Sequence, residues 1–231
     1  MLILPSPNWN DRPTGAVVDM LILHYTGMRD AASALARLRD PAASVSAHYV
    51  IEEDGAVWQL VDETRRAWHA GVSAWAGRTS LNDVSIGIEL VNPGHEFGYR
   101  PFAEPQIEAC IDLCRAILAR WPIPAGRVLA HSDVAPTRKE DPGELFPWPR
   151  LAAAGVGLLP EASADGGPPP LAEVQGALGR FGYGLPPSGV EDEATRAVVR
   201  AFQRHFVPDR LGQPFDALAW ARLRALVRPT R

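Results

Sequence analysis

Five short β-rich runs, interleaved with helical stretches, constrain the fold of this 231-residue chain more than any other feature. They are "AVVDMLILHY" (16–25), "HYVIEE" (48–53), "AVWQLV" (56–61), "VSIGIELV" (84–91) and "RVLAHS" (127–132). Asp54-Gly55 joins the second and third, and this dipeptide accepts the positive φ angles of a tight hairpin turn. Between strands, "DAASALARLRD" (30–40) reads as a helix with Asp30 as its N-cap and Pro41 beyond its end. In "EPQIEACIDLCRAILARW" (104–121), Ile107, Cys110, Ile111, Cys114, Ile117, Leu118 and Trp121 recur at helical spacing, so one stripe faces a core. The expected unit is an α/β domain over residues 1–159, with a mixed central β-sheet flanked by helices.

The composition then changes. "PEASADGGPPP" (160–170) has almost no large apolar side chain and reads as a semi-extended linker. Residues 171–231 follow with three helical patterns, 171–183, 192–206 and 216–227, and form a small three-helix domain. In the middle pattern Thr195, Val198, Val199, Phe202 and Phe206 share a stripe behind Asp192, a good N-cap.

The net charge of −4, without any run of Lys or Arg, argues against nucleic acid and anionic membrane surfaces as partners. No stretch approaches the roughly 20 apolar residues of a membrane span. "MLILPSPNWNDRP" lacks the basic and apolar regions of a signal peptide, which points to the cytoplasm; a true start further upstream would allow the periplasm or cell envelope. Cys110 and Cys114, one helical turn apart in the apolar stripe, read as buried thiols. None of these features bears on oligomeric state.

His24 ends the first strand, His131 lies in the last, and Asp141 follows ten residues later. Strand ends gather at one edge of a sheet, where two imidazoles, a carboxylate and an open fourth position make the ligand set of a hydrolytic zinc site. The same residues also fit hydrogen-bonded polar groups at strand ends. Glu89 sits in the apolar run "VSIGIELV", where a lone carboxylate is costly unless paired or used, and beside a metal such a group acts as general base. Lys139, two residues before Asp141, could stabilise an oxyanion or be a solvated surface charge.

In order, "LILHYTG", "VSAHYVIEEDGAVWQLV", "AWHAGVSAW", "LNDVSIGIEL" and "HSDVAPTRKEDPGELFPW" resemble the zinc N-acetylmuramoyl-L-alanine amidases of the type 2 family across residues 15 to 150. The resemblance implies one Zn2+ held by His24, His131 and Asp141, with Glu89 as the water-activating acid/base and Lys139 as the oxyanion-stabilising residue. Ala47 before His48, and Asp141 as third ligand, resemble the AmpD/AmiD branch, which uses the glutamate. Trp68, His69, Trp75 and Asn82 match segments that border the substrate groove in relatives, and His48 is expected to support the site or contact substrate. The C-terminal domain, with "GALGRFGYG" and "ATRAVVRAFQRHF", resembles small helical peptidoglycan-binding domains. His95 and His205 match nothing in the family and read as surface or packing residues.

The expected reaction is hydrolysis of the amide between N-acetylmuramic acid and L-alanine in peptidoglycan or in soluble muropeptides, including 1,6-anhydro forms. Two alternatives remain at this point: a peptidoglycan-recognition protein that binds without cutting, and a zinc hydrolase of another amide.

Overall fold

The computed structural model describes residues 1–163 and 166–227. Positions 164–165 of the expected linker and 228–231 of the expected helical domain lie outside the described residues.

Strands β1 (Leu2–Ile3), β2 (Met20–Tyr25), β3 (Tyr49–Ile51), β4 (Val57–Gln59), β5 (Ser85–Leu90) and β6 (Val128–Ala130) form one sheet in the order β1-β4-β3-β5-β2-β6. Only the β3–β4 pair is antiparallel, so the sheet is mixed as expected. At its hairpin the Glu52 N–H donates to the Ala56 carbonyl at 2.9 Å, with Gly55 at φ 88° between them. Each expected strand is present but shorter than its apolar run.

The pleat gives the paired strands β2 and β5 unlike faces. Leu21, Leu23, Ile86, Ile88 and Leu90 point to one side. There they meet Ile107, Cys110, Ile111, Cys114 and Ile117 of α2 (Glu104–Arg120), the stripe read from the sequence. The two cysteines are buried and unpaired, with Sγ atoms 3.9 Å apart. Toward the other side point Met20, Ile22 and His24 of β2, and Ser85, Gly87 and Glu89 of β5. Helix α1 (Ala31–Arg39), started by Asp30 accepting the Ser33 N–H at 2.7 Å, brings Leu38 to Val50 and Leu60 beside this face. Polar side chains therefore collect where the parallel strands β2 and β5 end, the position at which α/β sheets place their sites.

Helices α3 (Leu171–Leu178), α4 (Glu193–Phe206) and α5 (Ala217–Val227) pack around Val174, Leu178, Phe202, Phe206 and Leu223. Asp192 caps α4 as expected, accepting the Thr195 N–H at 2.8 Å. Residues 160–163 and 166–170 have no helix or strand, in keeping with a linker. The module is nevertheless not loosely tethered, because it docks on the sheet domain. Trp75 meets Phe181 and Tyr183 edge-on at 5.3 and 4.9 Å between ring centroids, and the Ala76 N–H donates to the Gly182 carbonyl at 2.8 Å. Gly182 has φ 151°, and a Cβ there would lie 2.3 Å from the Trp75 ring, so no larger residue fits. Trp75 was expected beside the substrate groove; with 2% exposure it instead belongs to the domain junction.

Candidate active site

His24 on β2 and Glu89 on β5 are register partners, so their side chains leave the sheet together. β6 ends at Ala130, and His131 opens a single helical turn, His131–Val134, where the sequence suggested a strand residue. The chain then loops back so that the Ser132 N–H donates to the Asp141 carbonyl at 2.9 Å. That bond brings two residues ten positions apart beside His24. His24 Nδ1 lies 2.9 Å from His131 Nδ1 and 3.0 Å from Asp141 Oδ2, and His131 Nδ1 lies 2.9 Å from the same oxygen.

Hydrogen-bond directions determine what this triangle is for. The Ser85 hydroxyl donates to the Leu81 carbonyl at 2.6 Å, so toward His69 Nε2, at 3.1 Å, it accepts. His69 is buried, and burial, then its histidine neighbours, hold its pKa far below the ordinary value, so the ring is neutral. With its proton on Nε2, His69 offers the Nδ1 lone pair to the Nε2–H of His24 at 3.0 Å. Burial, followed by repulsion from His131, lowers His24 to about 4. The neutral His24 ring therefore turns a bare Nδ1 into the triangle. On the other side His131 donates its Nε2–H to the Ala70 carbonyl at 3.1 Å, which leaves Nδ1 as the nitrogen that faces the triangle. Burial alone would raise Asp141, but His131 and His24 outweigh it and keep the carboxylate ionised.

Three possible ligand atoms thus converge on one point. A proton can join only one pair of them, whereas a tetrahedral cation with bonds of about 2.0–2.2 Å serves all three. No ligand side chain is contributed by sulfur, which suits zinc with an open position better than a closed structural site. Partners on the far ring nitrogens, as His69 and Ala70 provide, are what fix a ligating imidazole's tautomer.

Beside the triangle, Glu89 Oε2 is buried without a hydrogen-bond partner among the described residues. Burial, then Asp141, pushes this carboxyl well above the usual carboxylate range, with Lys139 opposing. Glu89, His131, Lys139, Asp141 and Trp68 share the wall of a cleft of about 590 Å³, within the range of small-ligand sites. Tyr25, Arg37 and Phe97 also line that cleft, and nothing in their local sequence pattern marked them.

Of the residues expected along the groove, Trp68 lines it, with its indole N–H on Asn10 Oδ1 at 2.7 Å. His69 borders it but serves His24. Asn82 is buried, and its Oδ1 is occupied by the N–H groups of His69 and Ala70 at 3.1 and 2.8 Å. His48 does not reach substrate space: it is fully buried, accepts the Gly87 N–H at Nδ1 (3.0 Å) and has the Arg65 carbonyl at Nε2 (3.1 Å). It supports the strand under the site. Sequence reasoning missed Ser85 and Gly87, although Gly87 is indispensable to the arrangement, since a Cβ there would lie 2.4 Å from the His69 ring. His95, read as a surface or packing residue, stacks on Tyr99 at 4.3 Å and meets the Tyr25 hydroxyl at 2.9 Å.

The N-acetylmuramoyl-L-alanine amidase family matches residues 14–144. This chain belongs to that family. Residues 168–209 match the putative peptidoglycan binding domain. The amidase is 41% identical to N-acetylmuramoyl-L-alanine amidase AmiD of Escherichia coli (strain K12), over 91% of this chain and 82% of that one. It is 34% identical to the 1,6-anhydro-N-acetylmuramyl-L-alanine amidase AmpD of Enterobacter cloacae, over 65% of this chain and 87% of that one. A solved complex of E. coli AmiD with anhydro-N-acetylmuramic acid-L-Ala-D-gamma-Glu-L-Lys superposes with a TM-score of 0.82 at 39% identity, covering 94% and 91% of the two chains. AmpDh3 from Pseudomonas aeruginosa superposes with a TM-score of 0.83 at 35% identity, covering 98% of each, so the amidase shares both sheet domain and module with it. Among the described residues no helix is long and apolar enough to cross a membrane.

Proposed function

We propose that the amidase, with one zinc ion on His24, His131 and Asp141, releases the stem peptide from soluble muropeptides, with 1,6-anhydro-muramyl peptides as preferred substrates. The observation that carries this reading is the Glu89 Oε2, unpartnered among the described residues, beside three convergent ligand atoms on a cleft wall. Zinc bound there supplies Lewis-acid polarisation of the lactyl carbonyl and lowers the pKa of the attacking water. Glu89 takes a proton from that water as the oxygen attacks the carbonyl carbon, and the Lys139 ammonium steadies the resulting oxyanion. Glu89 then delivers the proton to the L-alanine nitrogen as the C–N bond breaks, leaving a lactyl carboxylic acid and a free peptide amine.

Anhydro substrates are favoured because the AmiD structure that the amidase resembles over most of its length holds an anhydro-muramyl tripeptide. The module supports a second substrate form, the insoluble wall, through its match to a peptidoglycan-binding domain. Glu89→Ala should keep stoichiometric zinc and lose about 10²–10⁴-fold in turnover, measured on purified anhydro-muropeptide with product analysis by mass spectrometry. Unchanged turnover would remove Glu89 from the mechanism. Faster release from sacculi than from anhydro-muropeptides would reverse the substrate preference, and cleavage inside the peptide would identify a different amide.

A further inference from the structure

Two consecutive residues of α4, Arg204 and His205, reach back to the segment that carries His131, Lys139 and Asp141. His205 Nδ1 lies 2.7 Å from Asp133 Oδ2, and the Tyr183 hydroxyl donates to Asp133 Oδ1 at 2.6 Å. Asp133 Oδ2 also accepts the Ala130 N–H at 2.8 Å, fixing the turn that starts at His131. Asp133 is 1% exposed, and two of its three donors come from the module. Buried as it is in the whole chain, Asp133 without those two donors would hold one hydrogen bond, which is costly. At the other end of the segment Arg204 bonds Glu140 at 2.5 Å, next to Asp141. His205 is itself clamped, stacked between Trp148 at 3.6 Å and Phe206 at 3.9 Å, so its donor direction is set by packing.

We propose that the helical module is a structural part of the metal site: His205 and Tyr183 are positioning residues that hold Asp133, and through it the turn presenting His131. The proposal rests on the metal reading above. It makes the module more than a wall-binding appendage, because the ligand segment is braced at both ends from α4.

The test uses the full-length chain and three substitutions. His205→Leu removes the donor at similar volume, His205→Asn keeps an amide N–H near the position of Nδ1, and Tyr183→Phe removes only a hydroxyl. Zinc affinity is read by chelator competition, and amide-proton exchange of residues 131–141 is read in the metal-free protein. His205→Leu should weaken zinc binding by about tenfold, the low end of the range for a lost outer partner of a ligand because His205 acts one step further out, and accelerate exchange at Ser132. His205→Asn should restore most of both, and Tyr183→Phe should give a smaller loss in the same direction. Unchanged zinc affinity and exchange in folded His205→Leu, or equal losses in the Leu and Asn variants, would overturn the proposal. If His205→Leu does not fold, Tyr183→Phe decides between the same two outcomes. Were the unsubstituted protein to take no zinc, the metal reading would fail, while exchange at Ser132 would still support or overturn the bracing.

Discussion

The amidase contains two buried histidine–aspartate clusters, and they are built to opposite ends. Around Asp141, the Nε2–H groups of two imidazoles are committed to His69 and Ala70, so both rings turn Nδ1 toward each other and toward the carboxylate. Around Asp133, the carboxylate meets donors from the Ala130 backbone, Tyr183 and His205, and no further atom is needed. Residue type alone does not separate a metal site from a structural cluster. The direction of each hydrogen bond does, and that direction is imposed by the partner one step further out.

The largest effect is expected from neutralising each of the two carboxylates in turn. Asp141→Asn should abolish stoichiometric zinc, assayed by elemental analysis, and bring muropeptide turnover to background. Asp133→Asn should keep a full equivalent of zinc at saturating metal; loss of the metal in both variants would erase the distinction.

A smaller effect is expected one shell out. His69→Ala deprives the His24 Nε2–H of its acceptor and frees the ring to flip. Zinc affinity should fall by about 10–100-fold, measured by chelator competition, with stoichiometry retained. An unchanged Kd would mean that the Ser85–His69–His24 chain does not set the tautomer.

The smallest effect concerns stability, at a third buried carboxylate. Glu63 accepts from the Tyr49 hydroxyl at 2.7 Å, the Trp121 indole at 2.6 Å and Arg120 at 2.6 Å, so it is completed by donors as Asp133 is. Burial alone would raise its pKa; these donors outweigh that and lower it below the ordinary 4.5. A lowered carboxylate stabilises the fold above its ordinary pKa, and the contribution fades as pH falls from there through the folded value. Glu63→Gln should therefore lose about 1–3 kcal/mol in urea unfolding at pH 7, with the gap to the unsubstituted protein narrowing below pH 4.5. A gap constant with pH would contradict the assignment.

How much of this could be read beforehand depended on distance along the chain. The apolar stripe of α2 and the caps Asp30 and Asp192 are local patterns and appear where expected. The proposed metal ligands and Glu89 were legible through chemistry and family resemblance. In β5, however, Ser85, Gly87 and Glu89 alternate with Ile86, Ile88 and Leu90, and that period of two already separates a site face from a core face. Reading the run as uniformly apolar concealed Ser85 and Gly87. His205 and Asp133 are 72 residues apart, and Arg12 reaches the His48 side chain across 36; no local periodicity records such pairings. Trp75 was misplaced for the same reason, since its partners Phe181 and Tyr183 lie in another domain.

Zinc titration of metal-free protein followed by histidine ¹⁵N NMR shows whether outer hydrogen bonds aim the two Nδ1 atoms at one cation. Saturation is expected at one equivalent, with His24 and His131 coordinating through Nδ1, each keeping a proton on Nε2, and His205 unperturbed in its hydrogen bond to Asp133. Coordination through Nε2, or zinc binding that shifts His205 in place of His24 and His131, would contradict it.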